Sequence, residues 1–235
     1  MTDISSLKSD LRALATQERA RSSAWFFKTG PGQYGEGDIF IGVSVPDQRK
    51  VAKKYRELPL RDAEHLLNSP IHEERLTALF ILVGQFQRGD EAIRQEIFRF
   101  YIKKAKLVNN WDLVDSSAPY FGQYLNDKDR SVLNNLAKSD NLWERRIAIM
   151  MTFAFIMDGD ESTTFEIADI LLHDEHDLIQ KAVGWMLREV GKRIDQNIEE
   201  AYLITRYKTM PRTMLRYAIE RFESELRHQY LKGSL

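Results

Sequence analysis

Five stretches of the sequence lie over one another: SPIHEERLTALFILV (69–83), NNWDLVDSSAPYF (109–121), NLWERRIAIMMTF (141–153), HDLIQKAVGWMLR (176–188) and PRTMLRYAIERF (211–222). Their alignment puts Ala78, Leu113, Ala148, Ala182 and Ala218 in one register, at spacings of 35, 35, 34 and 36 residues. A period near 35 in helical sequence is what stacked helix pairs produce, because each pair buries one face only against its neighbours. A small residue at the register position lets paired helices approach closely. The expected fold is therefore all-α, an α-solenoid over the 235 residues, with N-terminal helices and a Gly-rich loop in 1–45 and tandem helix pairs in 46–235.

Apolar residues at three- and four-residue spacings predict helices over 46–57, 71–88, 90–105, 111–125, 141–157, 161–172, 176–192 and 211–230. Pro46 and Pro211 suit first turns, and Asp3, Asn110 and Asp140 or Asn141 suit N-caps. No alternating strand stands out. The exception to regular helix is TGPGQYGEGDIFIGVS (29–44), which holds five of the twelve glycines. It lacks the Gly-Lys-Ser/Thr ending of a phosphate loop and follows no strand, so an ordered connector or a loop approaching DNA is the better expectation.

The 34 basic and 35 acidic residues nearly cancel, which at face value argues against a polyanion partner. The charge is segregated, however. Residues 1–56 hold ten Lys/Arg against six acids, residues 201–235 hold seven against three, and 158–177 carry eight acids with no Lys or Arg. There is no Cys, which excludes disulfides, thiolate nucleophiles and cysteine-held metal centres. Nowhere do 18 apolar residues run together and residues 1–10 lack an apolar core, so no membrane span or signal peptide is expected and a reducing cytoplasm fits. His173 and His176, within LLHDEHD, sit among acids, but the stretch reads as a polar joint between helices rather than a metal site.

In a solenoid, equivalent positions of successive repeats share a surface. Trp111 lies two before the register residue and Asp115 two after it, four apart and so on nearly the same helix face. Arg146, Gln180 and Arg216 each lie two before theirs, and Trp185 three after. Tryptophan, carboxylate and arginine are thereby expected on one basic, aromatic concave face, with the acidic run on the convex back. Trp143, beside the cap at 141, is expected in the core. Gly184 inside a helix is about 1 kcal/mol worse than Ala, which suggests that something close by needs the space.

At these positions the chain resembles a known family. WDLVDS (111–116), SDNLWERRIAI (139–149) and QKAVGWMLRE (180–189) closely match the AlkD-type DNA alkylation repair enzymes, and GDIFIGVSVPDQRK (37–50) looks like the family's N-terminal signature. The resemblance covers residues 20–230 and implies a HEAT-like-repeat DNA glycosylase that removes alkylated purines. It carries the catalytic carboxylate to Asp115, the tryptophans cradling the deoxyribose to Trp111 and Trp185, and a DNA-backbone contact to Arg146. Two positions depart from the family pattern: Ser44 replaces a polar residue, a glutamine in the best-known members, and Phe26 replaces a tyrosine. Substitution there bears on activity more than on binding.

A purine alkylated at N3 or N7 is cationic and already a good leaving group, so no general acid is needed. A carboxylate near the anomeric carbon stabilises the developing sugar cation and orients or deprotonates water, and tryptophan π faces add cation–π stabilisation. The expectation is a monomeric, cofactor-free and metal-free glycosylase acting on double-stranded DNA that contains alkylated bases. The alternatives are a non-catalytic homologue that binds distorted or branched DNA and a protein–protein scaffold.

Overall fold

The structure, a computed structural model, describes residues 3–235. These residues are helical apart from turns, loops and one isolated bridge between Ile39 and Ile71. The chain divides into two compact units, Met1–Ser117 and Ala118–Leu235, each described by itself.

The first unit contains α1 (Ile4–Ala13), α2 (Gln17–Phe26), α3 (Val45–Lys54), α4 (Leu60–Leu67), α5 (His72–Arg88), α6 (Glu91–Lys103) and α7 (Trp111–Asp115). Its centre is α5, whose residues from His72 to Val83 are all buried, packed by α3, α4 and α6. Pro46 sits in the first turn of α3, as the sequence predicts, and Ser44 caps the helix. α4 was not among the expected helices. Its eight residues bury Ala63, Leu66 and Leu67, a face set by tertiary packing more than by a long periodic run.

The second unit contains α8 (Ala118–Gly122), α9 (Ser131–Ala137), α10 (Leu142–Met151), α11 (Phe153–Met157), α12 (Ser162–Ile170), α13 (Asp177–Arg193), α14 (Gln196–Ile204), α15 (Arg212–Ala218) and α16 (Ser224–Lys232). α13 packs on α10, α14 and α15, and α9 on α10. Like α4, α9 and α14 are short and escape a search for long periodic stretches.

Three expected helices are broken, each for a local reason. The stretch 111–125 stops after Asp115: the Ser117 hydroxyl donates back to the Leu113 carbonyl at 2.6 Å, and Pro119 opens α8 in its first turn. The stretch 141–157 breaks at Thr152, whose buried hydroxyl donates to the Ile149 carbonyl at 2.7 Å. The stretch 211–230 passes through a 3₁₀ turn at Ile219–Arg221 and extended backbone at Phe222 before α16.

The register holds. Ala78, Leu113, Ala148 and Ala218 are completely buried and Ala182 nearly so, which assigns the repeat a packing role. Trp143 is likewise in the core. The space at Gly184 is taken by α15: a β-carbon there would clash with the Met214 carbonyl oxygen and lie 2.6 Å from Tyr217 Cβ. The acidic run is not simply a solvated back. Asp160 pairs with Arg130, Asp174 with Arg145 at 2.6 Å and Asp169 with Arg206 at 2.6 Å, and Tyr202 also donates to Asp169. Its carboxylates tie neighbouring helices of the second unit together.

Candidate functional site

Trp111 opens α7 and Asp115 ends it. Asn110, itself fully buried, caps the helix by accepting the Trp111 amide at 2.8 Å, while Leu113 and Val114 sink into the core. Anchoring the helix through 113 and 114 leaves Trp111 and Asp115, four apart, half-buried on its other side. Behind them, burial and then the charge of Asp115 push the Tyr101 phenol well above its usual range, against a hydrogen bond to Ser117 that lowers it.

Trp111 is held on three sides. Phe27 stacks on it with centroids 5.2 Å apart and planes at 21°, Phe26 meets it edge-on at 5.9 Å, and its Nε1 donates to the Tyr34 hydroxyl at 3.2 Å. One indole face is thus covered by Phe27. The stack continues through Phe40 and the His72 ring, with centroids 5.0 and 4.5 Å apart. The Gly-rich loop is therefore an ordered connector whose Tyr34 fixes the site tryptophan.

Beneath the stack lies a polar cluster that sequence reasoning missed. His72, 2% exposed, faces Asp112 Oδ2 through Nε2 at 2.8 Å and Asp38 Oδ2 through Nδ1 at 3.2 Å. Arg75 donates to Asp38 Oδ1 at 2.6 Å, and Asn110 donates to Asp38 Oδ2 at 3.1 Å. With both ring nitrogens facing carboxylates, the imidazolium is the form that satisfies them. Burial opposes that charge, but hydrogen bonds to Asp112 and then Asp38 outweigh it and hold the His72 pKa above its ordinary value. Asp38 is likewise opposed by burial yet lowered by His72, Arg75 and Asn110. Two carboxylates and two cations make a buried cluster with no net charge, joining the Gly-rich loop, α5 and α7. The sequence signal was Asp112, left unassigned in WDLVD; its partner lies 40 residues away.

Next to the cluster, Glu73 accepts the backbone amides of Ile41, Gly42 and Val43, with Gly42 nearest at 2.7 Å. Gly42 has φ 83° and leaves no room for a β-carbon beside the Thr16 carbonyl oxygen. A cleft of about 190 Å³ opens here, lined by residues including Arg19, Phe27, Ser44, Gln48, His72 and Asp112. Ser44, one of the two positions that depart from the family pattern, serves as the α3 cap and donates to Asp47 at 2.6 Å. Phe26, the other, is 56% exposed.

The second unit holds the remaining expected residues. Trp185 is half-buried on α13, its Nε1 donating to Glu189 at 3.3 Å, and Arg193 donates to the same carboxylate at 2.6 Å. Gln180 uses its Nε2 to hold the Asp174 carbonyl at 2.9 Å, bracing the start of α13. Arg216 is exposed. Arg146, expected to contact the DNA backbone, is 5% exposed, and its guanidinium donates to the Leu178 carbonyl at 2.5 Å, tying α10 to α13. The two-before position points inward there because α10 is packed by α9 and α13. Among the described residues, His173 and His176 do not belong to any cluster able to hold a metal, and His176 caps α13. No helix is long and apolar enough to cross a membrane among the described residues.

A family model described as DNA alkylation repair enzyme matches residues 7–222. Two solved structures are similar in fold. One, described as a predicted DNA alkylation repair enzyme from Enterococcus faecalis, is 17% identical with a TM-score of 0.69 over 89% of this chain and 97% of that one. The other, AlkD2 from Streptococcus mutans, is 16% identical with a TM-score of 0.55 over 94% of this chain and 97% of that one. No curated protein matches the chain.

Proposed function

Because the chain belongs to the DNA alkylation repair enzyme family, we propose that it hydrolyses the N-glycosidic bond of cationic alkylated purines, of the 3-methyladenine and 7-methylguanine type, in double-stranded DNA. The observation that carries this is α7: a five-residue helix, capped by a buried asparagine and anchored by Leu113 and Val114, that holds a clamped tryptophan one turn from a half-buried carboxylate.

In this reading the bond between C1′ and the purine nitrogen breaks with its electron pair leaving on the base, which departs neutral. Asp115 stabilises the positive charge that develops on the sugar, orients a water toward C1′ and takes its proton. Trp111 offers the π face not covered by Phe27 to the same sugar, a contribution of about 1–2 kcal/mol when desolvated. In the second unit, Trp185, held by Glu189, is assigned to a deoxyribose, with exposed Arg216 and the second Nε2 hydrogen of Gln180 assigned as donors to the DNA backbone, contacts that position without reading sequence. The enzyme acts as a monomer without cofactor or metal in this proposal.

The test is to incubate methylated duplex with the protein and with Asp115→Asn and quantify free base. Release by the unmutated protein, reduced at least a hundredfold in the variant, supports the proposal. Binding to duplex without any base release removes the glycosylase reading and leaves a DNA-binding protein.

A further inference from the structure

Trp25 is 83% exposed, while Trp143 is buried and Trp111 and Trp185 are half-buried. Single exposed apolar residues are ordinary on protein surfaces. Four features set this one apart. First, it does not stand out there for want of a core position: the neighbouring Phe27 fills the aromatic stack, and Trp25 and Phe26 are left projecting from the end of α2, a helix with no buried residue. Second, the ring borders an open cleft of about 630 Å³ formed with Ala24, Phe26, Lys28, Thr29 and Gln33, wide enough for a flat ring to lie on the indole.

Third, cations flank it. Arg21 lies one helical turn before Trp25 on the same face of α2, and Lys28, just past the end of the helix, lines the cleft beside the ring; both cations are exposed and, among the described residues, neither forms an ion pair. Fourth, Lys28 adopts φ 52°, the left-handed conformation that ends a helix best when the residue is glycine. A lysine held in that conformation keeps its charge over the Tyr34 ring, 5.9 Å from the centroid, beside the cleft. Strain of this kind gathers at functional sites.

We propose that Trp25 is a stacking platform for an unpaired nucleobase, with Arg21 and Lys28 holding the phosphates on either side. An open indole face with a cation on either side along the chain is the arrangement that single-stranded nucleic acid recognises without sequence preference. α2 is too polar elsewhere to lie in a membrane surface, since Trp25 and Phe26 are its only large apolar side chains. The inference rests on the DNA reading above and deepens it: the protein grips DNA where a base has left the stack.

The experiment uses the full chain with two labelled 20-base-pair duplexes, one fully paired and one carrying a single bulged adenine. The expected result is a preference of roughly tenfold for the bulged duplex, lost in Trp25→Ala and kept to within about threefold in Trp25→Phe, with affinity for the paired duplex and the melting temperature unchanged. Intrinsic fluorescence should be quenched by the bulged duplex in the unmutated chain and much less in Trp25→Phe. Equal affinity of the unmutated chain for both duplexes, or a preference that survives Trp25→Ala, overturns this inference and leaves the DNA reading standing. Failure to bind either duplex removes the DNA reading itself, and the inference with it. Should Trp25→Ala leave the bulge preference intact but abolish binding to anionic vesicles or shift the sedimentation of the protein, the ring serves a lipid or protein partner and the proposal is wrong.

Discussion

The indole Nε1 of Trp111 donates to the hydroxyl of Tyr34, 77 residues earlier, at 3.2 Å, and that hydroxyl faces the Phe26 carbonyl at 3.5 Å. A loop with five glycines thereby orients the tryptophan assigned to the substrate sugar. Tyr34→Phe removes this hydrogen bond, worth about 0.5–1.5 kcal/mol, together with the longer one to the Phe26 carbonyl. The expected outcome is a two- to tenfold slower single-turnover release of methylated base with unchanged affinity for duplex DNA. An equal loss in affinity and rate would place Tyr34 on the DNA instead.

The His72 cluster makes stability depend on pH. His72 has a folded pKa above its ordinary value, so its contribution is full below about pH 6.5 and disappears as pH rises through the raised folded value. Asp38 has a lowered pKa, so its contribution is present above about pH 3.8 and disappears as pH falls through the lowered value. Both arise within one set of groups: Asp38 from the loop, Asp112 from α7 and Arg75 from α5. Urea unfolding should show greatest stability between these limits. His72→Gln should remove the His72 share of the decline on the alkaline side and lower stability by about 3–5 kcal/mol, because the carboxylates around it lose a buried cation.

Glu199 presents the opposite case. It is 2% exposed, its Oε1 has no hydrogen-bond partner, and burial, followed by the charge of Glu200, pushes its pKa up to about 9. The folded state therefore carries a neutral carboxyl that ionises on unfolding, a penalty that grows from about pH 4.5 upward and levels off near 9. Glu199→Gln should stabilise the protein at pH 7 by on the order of 3 kcal/mol and make no comparable difference at pH 4.5. Urea titrations at the two pH values decide it.

Gly184→Ala should destabilise the second unit although alanine is the better helix former. The added methyl meets the Met214 carbonyl and Tyr217 on α15. Forcing the helices apart costs about 1–3 kcal/mol, more than the roughly 1 kcal/mol of helix propensity gained. A rise in melting temperature would show that α13 and α15 can separate freely.

What the sequence by itself determined was whatever depends on neighbours along the chain. The spacing of apolar residues reports which side of each helix is buried, so the 35-residue register predicted the buried Ala78, Leu113, Ala148, Ala182 and Ala218. Caps act over one to three residues, and Asp3, Asn110 and Asn141 cap as expected. The four-residue spacing placed Trp111 and Asp115 on one helix face, while the helix expected over 111–125 proved to end at Asp115. The tertiary structure alone decided everything that depends on distant partners. Arg146 became a buried tie to Leu178, 32 residues on, and the acidic run found Arg130, Arg145 and Arg206. His72 gathered Asp38 and Asp112 around it, and Tyr34 reached Trp111. A polar side chain's partner is set by which helix faces which, and periodicity carries no information about that. Short helices such as α4, α9 and α14 escape for the same reason, since packing rather than their own propensity holds them.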